Sequence, residues 1–284
     1  MIIALLLASL SCFAFTNSEK QPEISLKYKS YKDIPGVANE EIQAVEKLRE
    51  KTNFFVYGAN PGTETFNDEN GKISGFTALF CNMLTELFGI PFKPALYEWD
   101  ELVAGIENGK VDFSGEFTAT DERKKKYFMT DPIALRSIKT FRLAGNQPHE
   151  YIIEERLPRY AFLEGTTTIE QVKANLKGFE IFLVNNYEDA YKMLEEKKAD
   201  AFFDEGAAEA AFDAYGDVIA EDFLPLIYGE VSLITQTESL KPIISVVQKM
   251  LKNGGVEHLS KLYNLGQQEY AKHKLFMRFS AEER

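Results

Sequence analysis

The sequence predicts an α/β protein with largely parallel sheets, and three observations predict it. Strand-like and helix-like segments alternate from about residue 54 onward. One helix is sharply periodic: Phe76, Leu79, Phe80, Met83, Leu84, Leu87 and Phe88 fall on one face, and Gly89 follows as its stop. The chain has 284 residues, 45% hydrophobic and 27% charged, which suits one large domain or two lobes that each bury a core.

Residues 16–38 read as a linker with a turn at Pro35-Gly36. Asn39 is expected to cap a helix through Lys51, with Ile42, Val45 and Leu48 on one face. Residues 54–58 read as a strand, and residues 60–71 as a loop ending in the turn Glu69-Asn70-Gly71. After the helix at 76–88 come a strand at 92–97, a short helix at 100–108 and a strand at 111–114. Thr120 is expected to cap a helix that opens with Asp121 and Glu122, where the helix dipole favours acids. A strand at 138–143 follows. The second half reads as strands at 160–163, 179–184, 199–204 and 231–235. Helices are expected from a capping box at Thr168 to Gln171, at 187–196, at 207–215, from Pro242 through Lys252, and at 256–274. Open sheets of this kind bind ligands past the carboxyl ends of their strands. The loops at 58–65, 114–120, 164–168 and 204–206 are therefore the places to look for a site.

A formal net charge of -12 excludes an electrostatic nucleic-acid binder, because such affinity rests on Lys and Arg neutralising phosphates. The apolar run from Met1 to Phe15 has the length of a signal-peptide core and is too short for a membrane span. Cleavage after Ala14 is expected, with lipidation of Cys12 as the second reading. No other segment is apolar enough to cross a bilayer. Cys81 sits on an apolar helix and reads as a packing residue. His149, His258 and His273 are far apart and show no zinc spacing. Phosphate-binding glycine loops, a nucleophile elbow and a zinc-protease motif are all missing, so no cofactor or metal is expected.

The segment Val111-Asp112-Phe113-Ser114-Gly115-Glu116-Phe117-Thr118-Ala119-Thr120-Asp121-Glu122-Arg123 resembles family 3 of the extracytoplasmic solute-binding proteins, the polar amino-acid-binding type of ABC importers. Four further stretches agree in order: 68–76, 99–112, Met129-Thr130-Asp131-Pro132-Ile133, and Lys198-Ala199-Asp200-Ala201-Phe202. A nearer likeness is to the subgroup used as sensory input domains of bacterial receptors, carried by Lys32-Asp33-Ile34-Pro35-Gly36-Val37, Thr63-Glu64-Thr65-Phe66 and the stretch from Asp204 to Ala210. The resemblance implies two α/β lobes in a type II, periplasmic-binding-protein-like fold, joined by two crossing strands near 140–144 and 228–231. The expected division is a signal peptide at 1–14, a linker and helix at 15–53, lobe one at 54–141, lobe two at 142–230, and a return to lobe one at 231–284.

Ligand roles follow only from that resemblance. Arg123 matches the family arginine that grips a ligand α-carboxylate; read alone, it is a surface arginine beside three lysines. Thr118 is placed to donate to the same carboxylate, and Thr166 and Thr167 sit where the second lobe closes on it. Glu205, or Asp204 before it, matches the acid for the ligand amino group; an acidic helix start is the bland alternative. Trp99 matches an aromatic that packs on the ligand, with a core tryptophan as the equal alternative. Phe66 and Glu64 are weaker candidates from the subgroup motif. Two positions depart from the family pattern: Glu116 stands where importer proteins have glycine, and Leu163 where some members have lysine. The function implied is reversible binding of an amino-acid-like solute, delivered to a membrane permease or presented to a membrane sensor kinase or cyclase. The alternative is a cleft enzyme of the cyclohexadienyl dehydratase type using acids such as Glu116 and Glu64.

Overall fold

The computed structural model describes residues 27–147 and 149–282. The expected export segment, with Cys12 and the cleavage site after Ala14, lies outside the described residues.

The first half runs α1 (Asn39–Lys51), β1 (Phe55–Ala59), β2 (Phe66–Asn67), β3 (Ile73–Ser74), α2 (Phe76–Phe88), β4 (Phe92–Leu96), α3 (Trp99–Glu107), β5 (Phe113–Phe117), α4 (Asp121–Lys126) and β6 (Phe128–Leu143). The second runs α5 (His149–Glu155), β7 (Arg159–Leu163), α6 (Thr168–Asn175), β8 (Glu180–Val184), α7 (Tyr187–Glu195), β9 (Ala201–Glu205), α8 (Glu209–Phe212), β10 (Val218–Asp222), β11 (Tyr228–Thr235), α9 (Lys241–Met250) and α10 (Val256–Glu282).

Nine strands form one connected sheet in the order β4-β1-β5-β11-β6-β9-β7-β8, with β10 also on β6, while β2 and β3 pair separately. Two lobes arise because β6 changes partner along its length. It lies antiparallel to β11 as far as Ser137, opposite Tyr228, and antiparallel to β9 from Ile138, opposite Glu205. That change falls a few residues before 140–144. Lobe one holds β4, β1 and β5, and lobe two holds β9, β7 and β8, parallel within each set. The sequence showed only the last third of β6, because Pro132 argues against a strand interior. The structure accommodates it at an irregularity: Val231 faces Ala134 while Ser232 faces Pro132, so Ile133 is the extra residue.

The lobe-one core packs α1, α2 and α9 on the sheet around Phe55, Phe80, Phe88, Phe113 and Val247. In lobe two successive strand residues alternate between faces. Tyr160, Phe162 and Phe203 pack with Val172 of α6, while Ala161, Leu163 and Phe202 pack with Leu194 and Phe212 on the other face. This last cluster continues into Trp99, Leu102 and Phe117 of lobe one, so apolar packing runs across the cleft.

Helix caps match the sequence reading with small shifts. Thr120 accepts from the Arg123 backbone N–H, as expected. Asn39 is instead the first helical residue, and Glu41 closes the turn by accepting from the Ala38 N–H at 2.7 Å. Thr167, not Thr168, occupies the cap of α6 and makes no capping bond, since its hydroxyl is engaged elsewhere. Gly89 stops α2 at φ 65°, the left-handed turn its type favours.

Candidate functional site

Each strand-end loop named above contributes to one cavity between the lobes, of about 560 Å³ including its open mouth. The free space enclosed within it is about 40 Å³. From lobe one come Asn60, Gly62, Glu64, Trp99, Glu116, Thr118 and Arg123; from lobe two come Thr166, Thr167, Tyr187, Asp204 and Glu205.

Arg123 is aimed by its own helix. With Thr120 as N-cap, α4 starts within one turn of the strand end, and the side chain turns back over the aromatic floor. Its guanidinium carbon lies 5.2 Å from the Phe117 ring centre and 5.7 Å from that of Trp99. Nη1 donates to the Thr118 carbonyl at 3.2 Å and Nη2 to the Gly165 carbonyl at 2.9 Å. Neutral carbonyls leave its charge unneutralised, and among the described residues it has no carboxylate within ion-pair distance. A guanidinium has five N–H groups, so donors remain for an anion.

Threonines frame the same corner. The Thr167 hydroxyl meets that of Thr118 at 3.2 Å across the cleft, and Thr166 donates to the Leu163 carbonyl at 2.9 Å. Trp99 is 7% exposed within the apolar cluster, and it also lines the cavity and donates from Nε1 to the Glu164 carbonyl.

The opposite wall is acidic. Asp204 is buried at the end of β9 and accepts the Glu205 N–H at 2.8 Å. Burial, followed by repulsion from Glu205, pushes its carboxyl up to about 7. Burial also pushes the Tyr187 hydroxyl well up, beside Asp204.

The sequence reading missed the centre of this wall. Arg136, on β6, is 6% exposed and holds three carboxylates at once. Its Nε and Nη2 take both oxygens of Glu64, at 3.0 and 2.7 Å. Its Nη1 donates to Glu116 and to Glu205, each at 2.7 Å. Tyr263 of α10 adds its hydroxyl to Glu64 at 2.9 Å. Burial raises the Glu116 carboxyl, while Arg136 draws it down. Nothing local announces Arg136, whose three partners stand 72, 20 and 69 residues away in sequence.

Glu64 is thus brought to the cavity, but Phe66 is not. Phe66 turns toward α10, where its ring centre lies 5.4 Å from Tyr270 and 4.8 Å from His273, and it lines a separate groove. Its strand β2 is short and paired to β3, which points the ring away from the cleft.

The fold and the cleft together define a two-lobed α/β protein with a charged cavity between its lobes. The chain belongs to the bacterial extracellular solute-binding proteins, family 3, whose model matches residues 55–266. It is 24% identical over 203 residues to the L-cystine-binding protein TcyJ of Escherichia coli, a match covering 69% of this chain and 76% of that one. Two of the solved structures that share the fold illustrate it. One is the amino acid ABC transporter substrate-binding protein AbpA of Streptococcus pneumoniae bound to L-arginine, with TM-score 0.62, 16% identity and coverage of 79% of this chain and 98% of that one. The other is the ancestral amino acid-binding protein AncCDT-1, a precursor of cyclohexadienyl dehydratase, with TM-score 0.60, 21% identity and coverage of 78% and 97%. Among the described residues no helix is long and apolar enough to cross a membrane.

Proposed function

We propose that this protein binds an amino-acid-like zwitterion in the interlobe cleft, outside the cytoplasmic membrane, and passes it to an ABC permease or presents it to a membrane sensor. The observation that carries this reading is the charge separation across the cavity. An unneutralised guanidinium, Arg123, faces one end, and Asp204 with Glu205 faces the other. A carboxylate meets the Arg123 fork and the Thr118 and Thr167 hydroxyls; an ammonium meets the acids. Hinge closure is the readout, with β6 and β11 as the crossing strands and lobes at 54–141 and 142–230. Export by cleavage after Ala14 completes the proposal.

The dehydratase alternative would call on Glu116 or Glu64 as a base. Both are held on Arg136, Glu64 through both oxygens, which favours binding over turnover.

The test is a thermal-shift screen of free amino acids on the wild-type protein and on Arg123→Ala. A saturating ligand, at about a hundred times its Kd, adds roughly 2.7 kcal/mol and moves Tm by about 5–10 °C. A shift confined to α-amino acids and lost in Arg123→Ala supports the site. No shift across the panel removes the amino-acid reading.

A further inference from the structure

We propose that Arg136 is a built-in stand-in for a basic ligand side chain, and that by filling the acidic cage of Glu64, Glu116 and Glu205 it makes the cleft reject cationic amino acids. The inference rests on the amino-acid reading of the cleft.

The cage is drawn from four separate elements: Glu64 from the loop after β1, Glu116 from β5, Glu205 from the end of β9, and Tyr263 from α10 behind Glu64. Three carboxylates converging on one buried point are what a ligand guanidinium or ammonium would need for recognition. Here the protein supplies the cation itself. Four of the five guanidinium N–H groups are engaged: Nε and one Nη2 hydrogen on Glu64, both Nη1 hydrogens on Glu116 and Glu205. A second cation entering the cavity would lie against this guanidinium and compete with it for the carboxylate oxygens already in use.

What remains open to a ligand is narrower. Arg123 offers donors to a carboxylate. Asp204, beside the Glu205 carboxylate, offers an acceptor to one ammonium group. With Arg136 in place, that set matches an α-amino acid whose side chain is neutral or acidic. Without Arg136, the same cavity would carry three carboxylates facing an empty, guanidinium-shaped space. Its preference should then turn over to a cation.

The test uses the wild-type protein and Arg136→Ala, each scanned for thermal stability with neutral, acidic and basic amino acids. Wild type is expected to respond to a neutral or acidic member and not to arginine, lysine or ornithine. Arg136→Ala is expected to melt lower, and to recover by about 5 °C or more with saturating arginine but not with citrulline, its uncharged isostere. Wild type stabilised by arginine or lysine as strongly as by neutral amino acids overturns the proposal while leaving the cleft reading intact. A folded Arg136→Ala protein indifferent to arginine overturns it too. If Arg136→Ala does not fold, the wild-type panel decides. If wild type responds to nothing, the amino-acid reading falls, and arginine against citrulline on the variant still decides the cage.

Discussion

The indole Nε1 of Trp99 donates to the backbone carbonyl of Glu164 at 2.8 Å, tying the first residue of a lobe-one helix to a lobe-two strand end. It is one of several bonds that hold the lobes together. The Thr63 N–H donates to the Ala207 carbonyl at 2.8 Å, Arg123 reaches Gly165, and Arg136 reaches Glu205. The cleft is therefore closed, with the cavity bounded by contacts that belong to both lobes.

Closure has a test that leaves every charged group of the cleft in place. A Cβ built at Gly62 would stand 2.5 Å from the Ala207 carbonyl oxygen, a backbone atom of the opposite lobe with little freedom to retreat. Gly62→Ala is expected to shift the lobes toward the open state and weaken binding by about tenfold or more, since apparent affinity falls with the closed fraction. Titration calorimetry reads the affinity, and small-angle scattering should show a larger radius of gyration with ligand present.

Removing the unneutralised guanidinium should cost more than closing badly. Arg123→Ala is expected to lose about 100-fold or more in affinity, corresponding to roughly 3 kcal/mol for a bidentate charge-assisted pair. Arg123→Lys should recover part of the charge but not the fork, leaving an intermediate Kd.

Asp204 predicts a pH dependence of binding. Its folded carboxyl sits at about 7, above the ordinary value of 3.8, so it binds a proton more tightly in the folded state. Its contribution to stability therefore falls as pH rises from about 4 to 7. A ligand ammonium favours the ionised form, so affinity should improve with pH, by up to about tenfold per unit below about pH 7, and level off above it. Asp204→Asn should flatten both profiles, as read by calorimetry across that range.

Asp200 works in the opposite direction. Arg156 and Arg159 overcome its burial and hold the carboxyl down at about 2. That stabilisation is present above the unfolded value of about 4 and is lost as pH falls toward 2. Asp200→Asn is expected to lose about 2 kcal/mol near neutral pH, and the difference from wild type should shrink in acid. Chemical denaturation at several pH values checks it.

Much of the fold was legible because its signals are local. The α2 periodicity, the Thr120 cap and the Gly89 stop each lie within a few residues, and each appears where expected. β10, α5 and most of β6 were not legible. β10 and α5 are short and carry weak patterns, and β6 runs through a proline tolerated only by its irregular pairing with β11. The site divides the same way. Arg123, Thr118, Trp99, Thr166, Thr167, Asp204 and Glu205 sit at strand ends, where a recurring motif marks them, and all line the cavity. Arg136 lies inside a strand among ordinary neighbours. Its role depends on carboxylates from three distant segments, so only the folded arrangement displays it.

The most direct measurement of the central claim is a calorimetric comparison of three relatives of one ligand. They are the α-amino acid with the largest thermal shift, its carboxamide and its deaminated acid. If Arg123 holds the carboxylate and the Asp204–Glu205 wall holds the ammonium, only the intact zwitterion binds tightly, and each analogue weakens by about 100-fold, or roughly 2.7 kcal/mol. Equal affinity for all three, or binding of none, would contradict the assignment of the two ends of the cleft.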